Sequence, residues 1–127
     1  MKKMFLLFSH NLSQNQINDA INDFNIEEFV SLPKNLQDLW SDVPTQLENL
    51  KDYLLPIKKF LVENSDFEDV VLIQGDFGAV YHIVNFVKDL GLLAIYATTS
   101  REVEEFQENG KNIKKSIFEH RRFRKYE

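Results

Sequence analysis

Apolar positions along the chain change period several times, and each change marks an element. Met4-Phe-Leu-Leu-Phe8 is a short unbroken apolar run and predicts a central strand. Ser13 followed by Gln16 has the spacing of a helix capping box, and Ile17, Ala20, Ile21 and Phe24 behind it keep helical spacing. Glu28 to Leu32 predicts a second short strand, stopped by Pro33. Strand, helix and strand in that order imply a parallel pair with a right-handed crossover. Leu36, Leu39 and Trp40 then mark a short helix that Pro44 ends. Leu47, Leu50, Leu54, Ile57 and Leu61 form a narrow stripe with Pro56 inside it, which predicts a kink or two abutting helices.

The chain is organised around Asp69 to Gly91. Val70-Val-Leu-Ile73 reads as a strand buried on both faces. Gly75 and Gly78 bracket a predicted tight turn, and from Ala79 the apolar period becomes that of a helix, with Gly91 as its stop. Leu92 to Tyr96 supplies the next strand, and Ala97 to Arg101 is expected to follow at its carboxyl end. Asn109-Gly110 is a two-residue hairpin signal. Centring a hairpin there, over approximately 101–120, sets Phe106 against Ile113, Glu105 against Lys114, Glu104 against Lys115 and Glu108 against Lys111. The expected architecture is a single α/β domain over 1–127: a Rossmann-like, mostly parallel sheet of order 2-1-3-4 with a C-terminal β-hairpin. Its switch point falls between the strands ending at Phe8 and Gln74.

Charge changes that picture in one respect. The net charge of −5 hides eighteen acidic against eight basic residues up to position 110, and seven basic against two acidic after it. An acidic body argues against duplex nucleic acid as a partner, while a local basic end fits a small anionic ligand. The absence of cysteine removes disulfides and suits a reducing cytoplasm. Met1-Lys-Lys3 before an apolar run has the look of a signal peptide, but that run is too short for one, and no stretch has transmembrane length. No membrane association is expected.

Ligands of such sheets bind at the carboxyl ends of the strands, where the next helix aims its N-terminus. Four segments are candidates to converge there: Ser9-His10, Gln74 to Gly78, Thr98 to Arg101, and His120 to Arg124. Gly75 and Gly78 permit close backbone approach to a phosphate, though Gly-x-x-Gly is neither the dinucleotide fingerprint nor a P-loop. His10 stands at a strand end beside the switch point, while His120 is flanked by Arg121 and Arg122. Trp40 fits either the core or a ligand platform. No His-x-x-x-His or His-Glu-x-x-His spacing points to a metal, no cofactor is expected, and Ser9-His10 are adjacent, a poor geometry for a nucleophilic dyad.

Phe5-Leu-Leu-Phe-Ser-His10, Leu36-Gln-Asp-Leu-Trp40, Val71-Leu-Ile-Gln-Gly-Asp-Phe-Gly-Ala79, Tyr96-Ala-Thr-Thr99 and Phe118-Glu-His-Arg-Arg-Phe-Arg-Lys-Tyr126 together resemble one family. It is a set of small stand-alone CRISPR-associated proteins of type III systems, similar to ring nucleases. The resemblance implies a CARF-like fold, cyclic tetra-adenylate as ligand, and cleavage to linear di-adenylates ending in a cyclic phosphate. A ring of four identical nucleotides has a two-fold axis available, so a homodimer is expected. In the metal-independent scheme a ribose 2′-hydroxyl attacks its own phosphate. Gly75, Gly78, Arg121 and Arg122 suit the developing charge, and His10, or alternatively His120, suits protonation of the leaving oxygen. Gln74 and Asp76 complete the catalytic candidates, although Asp76 has the alternative role of helix cap. Ser9, Phe77, Trp40, Thr98, Thr99 and Arg101 are the further ligand-binding candidates.

Overall fold

The structure, a computed structural model, describes residues 1–127. Its elements in chain order are β1 (Lys3–Leu7), α1 (Gln14–Phe24), β2 (Glu28–Ser31), α2 (Lys34–Ser41), α3 (Leu55–Asn64), β3 (Val70–Ile73), α4 (Phe77–Asp89), β4 (Leu93–Glu108) and β5 (Lys111–Lys125). They build a mixed α/β fold with one five-stranded sheet of order β2-β1-β3-β4-β5. The strands through β4 are parallel, and β5 returns antiparallel to β4 as a C-terminal hairpin.

Helices cover both faces, which is why β3 has no polar position: all its side chains are buried. Alternate residues of the central strands serve opposite cores. Met4, Val70, Leu72, Ile95 and Phe123 pack against Ala20 of α1. Phe5, Leu7, Val71, Ile73 and Ala94 pack against Trp40 of α2, Ile57 and Leu61 of α3, and Ala79, Ile83 and Val87 of α4. No helix is long and apolar enough to cross a membrane.

Local chemistry sets the element ends. The Ser13 hydroxyl accepts from the Gln16 amide at 3.2 Å while the Gln16 side chain accepts from the Ser13 amide at 2.9 Å, a complete capping box. Gly91, at φ +80°, closes α4 in the left-handed conformation that residues with a Cβ rarely adopt. Pro56 does not kink a helix. It lies in the first turn of α3, where a missing amide donor costs nothing, and Leu47 and Leu50 precede that helix in turns.

At the amino end of the sheet, Asp69 is 2% exposed, and its carboxylate is fully engaged. One oxygen accepts from the Lys3 amide at 3.0 Å and the other from the Asp66 amide at 2.8 Å. The Lys3 ammonium lies 3.3 Å from Asp69 and 2.7 Å from Asp66. The Asp66 hydrogen bond raises the Lys3 ammonium above its ordinary range, and Lys3 in turn lowers the Asp66 carboxyl.

The hairpin has the expected register at Phe106–Ile113, Glu105–Lys114, Glu104–Lys115 and Glu108–Lys111, with Asn109 at φ 51° and Gly110 at φ 78°. Both turn residues thus adopt the positive φ of a type I′ turn. Of the three predicted charge pairs, Glu105–Lys114 closes to 3.5 Å. The hairpin is longer than 101–120, however. Residues 97–101 do not loop away after Tyr96 but continue β4, because β5 pairs with it along the whole length. Pairing of β3 with β4 ends at Ile95, so from Thr99 outward the two strands form a ribbon that leaves the sheet as an arm. A bulge lies at its root: Thr98 opposes Arg122 and Thr99 opposes His120, which makes Arg121 the extra residue.

Candidate functional site

Gln74, one residue beyond β3, ties the carboxyl ends of its neighbours together. Its amide donates to Leu7 O of β1 at 3.0 Å. Its own carbonyl accepts from the Trp40 indole at 3.0 Å, and its side-chain oxygen accepts from the Ala97 amide of β4 at 2.7 Å. Just before it, Ile73 O accepts from the Tyr126 hydroxyl at 2.7 Å. Burial pushes the Tyr126 phenol above its ordinary value, with the neighbouring Tyr96 adding to the shift. One side chain therefore holds β3 to β4 while the same residue's backbone holds β1 and α2.

These contacts revise several expected roles. The oxygen and backbone of Gln74 are committed to structure, while its side-chain nitrogen has no partner within the protein. Trp40, 2% exposed, is core and not a platform. It also explains Gly75: a Cβ there would lie 3.1 Å from the indole nitrogen and 3.2 Å from its ring, too close without a shift. Gly78 is not part of a turn. It sits in the first turn of α4, where a Cβ would meet only ordinary contacts at 3.5 Å. Asp76 is the N-cap of α4, accepting from the Ala79 amide at 3.0 Å. The amides of Phe77 and Gly78 precede any acceptor within the helix, and both residues are exposed. What this edge offers is a row of outward backbone donors at a helix start, partly offset by the Asp76 carboxylate.

The C-terminal candidates divide between the two faces of the sheet. His120 is on the α1 side: its side chain is 4% exposed, and Nε2 lies 2.8 Å from Asp19 of α1. The ring packs on Phe123 at 4.9 Å between centroids, and Nδ1 is buried without a partner. It cannot serve as an acid at the crevice. Thr99, directly opposite it, shares that side. Arg101 belongs to the arm, where it bonds Ser116 at 3.0 Å and covers the Phe118 ring at 5.9 Å. On the α4 side, Arg121 donates to Ser100 at 2.7 Å and lies 3.4 Å from Glu119 and 3.6 Å from Glu102. Arg124 caps the Tyr96 ring at 5.8 Å. Arg122 is exposed and has no carboxylate in ion-pair range. Its backbone is fixed by Thr98, whose hydroxyl donates to Arg122 O at 2.9 Å and accepts from its amide at 3.2 Å. Thr98 is next to Ala97, the residue that Gln74 holds.

Ser9 and His10 are exposed on the loop after β1, Ser9 bonding Ser41 at 3.0 Å and His10 meeting Phe8 edge-on at 5.4 Å. They line a cleft of about 610 Å³ together with Asn11, Lys34, Gln37 and Ser41. This cleft opens on the β2 side of β1 and takes no lining residue from Gln74 to Gly78, so the cleft that His10 lines is not the expected β1–β3 switch point. Lys34 and Gln37 escaped sequence reasoning because a helix start after Pro33 shows no motif.

The model of the Uncharacterized protein MJ1673 family matches residues 2–124. The chain belongs to that family. A relative from Methanocaldococcus jannaschii, Uncharacterized protein MJ1673, is 51% identical over 126 residues, which covers 99% of this chain and 98% of its own. No solved structure matches. The region shared with the MJ1673 family takes in both the Gln74 crossing and the arm.

Proposed function

We propose that this MJ1673-family chain is a metal-independent ring nuclease that cleaves cyclic tetra-adenylate to linear di-adenylates and so lowers a type III CRISPR signal in the cytoplasm. The observation that carries the reading is the exposed row of backbone donors from Gly75 to Gly78, with the unpaired Arg122 on the adjoining strand. Together they suit a phosphodiester held at the carboxyl ends of a Rossmann-like, CARF-like sheet. The resemblance in the Gln74-Gly-Asp-Phe-Gly-Ala79 run and the His120 to Tyr126 end supplies the identity of the ligand. In the proposed step the 2′-oxygen attacks phosphorus, its proton passes to water, and the bond to the 5′-oxygen breaks. The products are a 2′,3′-cyclic phosphate and a 5′-hydroxyl. Glycine amides and Arg122 stabilise the phosphoryl charge, and His10 protonates the leaving oxygen. A homodimer matches the two-fold symmetry of the ring.

The test is labelled cyclic tetra-adenylate with purified protein in excess EDTA. Di-adenylates with a cyclic phosphate are the expected products, and His10→Ala should slow single turnover by ~10²-fold or more. Near-normal cleavage by His10→Ala removes His10 from the role, and activity abolished by EDTA sinks the metal-free scheme. A binder that does not cleave is the second reading, favoured by the engagement of Asp76 as a helix cap and of His120 with Asp19. Retained but intact ligand would establish it, and no retention would leave an interaction module.

A further inference from the structure

The cleft of about 610 Å³ between the β1–α1 loop and α2 has, His10 apart, no task in the function proposed above, because the Gly75–Gly78 donors lie outside it. Its volume is that of a small-molecule site, for which about 300–1,000 Å³ is usual. One wall is fixed by its own hydrogen bonds. The Gln37 side-chain nitrogen donates to Phe8 O at 3.2 Å and to Ser41 Oγ at 2.8 Å, and Ser41 Oγ lies 3.0 Å from Ser9 Oγ. Phe8 O can only accept, so the Gln37 atom facing it is the nitrogen, and both its hydrogens are spent. The Gln37 oxygen is left without a donor in the chain and stays open to solvent. A preorganised acceptor therefore borders the cleft.

The rest of the lining narrows the ligand. Phe8, Leu12, Ile17 and Phe29, all half-buried, give apolar and partly aromatic surface. The charged side chains of the cleft, Lys34 and Asp38, neutralise each other at 3.2 Å, which leaves no lysine or arginine free for a phosphate. Asn11 and Ser31 are exposed there and can each donate or accept. A fitting ligand has flat apolar faces, an N–H group for Gln37, a mixed polar edge and no charge.

We propose that this cleft binds an uncharged, amino-substituted purine, of which adenine is the type. The exocyclic amine donates to Gln37 Oε1, the ring lies against Phe8 and Phe29, and Asn11 and Ser31 meet the remaining edge. A purine without the amine leaves that acceptor unpaired in a space closed to water, and this is the basis of selection. Two sources share the chemistry: a free nucleoside, and an adenine of the cyclic tetra-adenylate in the proposed function. The cleft carries the proposal without the nuclease reading, since neither Gln37, Asn11 nor Ser31 takes part in the cleavage step.

The experiment titrates the ¹⁵N-labelled full chain with adenosine and with purine riboside, the same nucleoside lacking the amine, and repeats both on Gln37→Met. Adenosine should saturate, shifting backbone amides of residues 8–12, 31 and 34–41 and leaving 75–78 unmoved. Purine riboside should bind at least about tenfold more weakly. Circular dichroism establishes that Gln37→Met keeps the fold, and this variant should bind both nucleosides weakly and alike. No saturable shift with millimolar adenosine overturns the proposal, as do shifts confined to other residues. Equal affinity of the native chain for the two nucleosides also overturns it, whatever becomes of the variant. Cyclic tetra-adenylate then distinguishes the sources: weaker binding by Gln37→Met puts an adenine of the ring in the cleft, and unchanged binding assigns the cleft to a free nucleoside. Failure to cleave the ring would sink the nuclease reading and leave the adenosine outcomes unchanged.

Discussion

The two ends of β3 solve the same problem with different chemistry. At the amino end, Asp69 gathers the Lys3 and Asp66 amides and the Lys3 ammonium on one buried carboxylate. At the carboxyl end, Gln74 gathers Leu7, Trp40 and Ala97 with backbone groups and a neutral amide. A charged knot has every acceptor occupied and presents nothing to a ligand. The neutral knot also holds the strands to their neighbours and adds no negative charge of its own beside the Gly75–Gly78 donors. The anion site proposed at the carboxyl edge would need that neutrality; the amino edge has no such requirement.

The comparison is broken most severely at Asp69. Asp69→Ala strands the Lys3 and Asp66 amides, while the Lys3 ammonium keeps Asp66, and should cost about 1–3 kcal/mol for each amide in denaturant unfolding. A cost under about 1 kcal/mol would mean that water reaches the knot. Gln74 gives a smaller effect and a sharper distinction. Gln74→Ala leaves the Ala97 amide without its acceptor, an expected loss of about 1–3 kcal/mol. Gln74→Glu keeps an acceptor for that amide while adding a charge, so it should retain more stability than Ala and bind cyclic tetra-adenylate less tightly than the native chain. Equal ligand binding by Gln74→Glu would show that neutrality there is irrelevant.

The smallest effect is in pH. The Asp66 carboxyl is lowered by Lys3, so its contribution is present above the ordinary carboxylate value and lost as pH falls through the depressed one. The Tyr126 phenol is raised, so its contribution is complete below the ordinary phenol value and lost as pH rises through the raised one. The amino edge therefore weakens in acid and the carboxyl edge in base. Tyr126→Phe should cost about 1 kcal/mol at neutral pH, and the difference from the native chain should close above about pH 10. A gap that stays constant through that range would remove Tyr126 as the origin of the basic limb.

What was legible in the sequence was local. The Ser13–Gln16 box, the buried run at Val70, the stop at Gly91 and the register about Asn109-Gly110 each depend on residues within a few positions of one another. Asp76 as a cap was legible on the same ground, as one of two readings. What was not legible involves partners far along the chain. His120 reads as a surface donor until Asp19, 101 residues earlier, is set against it. Thr98 to Arg101 read as a segment beyond the end of the strand because only the presence of β5 alongside makes them part of it. Trp40 was undecidable until the Gln74 carbonyl met its indole. Pro56 reads as a kink or a junction of two helices because the stripe Leu47 to Leu61 continues through a helix start, and apolar spacing alone does not mark where hydrogen bonding begins.

The bulge at Arg121 has a consequence for how sequences of this kind can change in length. Side chains on a strand alternate, so one extra or missing residue exchanges every position beyond it between faces. Deleting Arg121, the unpaired extra residue, would leave Arg122 opposite Thr98 and His120 opposite Thr99 in a regular ladder, whereas deleting Glu119 would turn Ile113 and Ile117 off the face they share with Phe106. Insertions placed symmetrically about Asn109-Gly110, one in each strand, lengthen the ribbon without altering which pairs oppose one another nearer the root. Homologues should therefore vary at the tip in matched pairs, and between Phe118 and Phe123 a change of length should fall on the bulged residue alone.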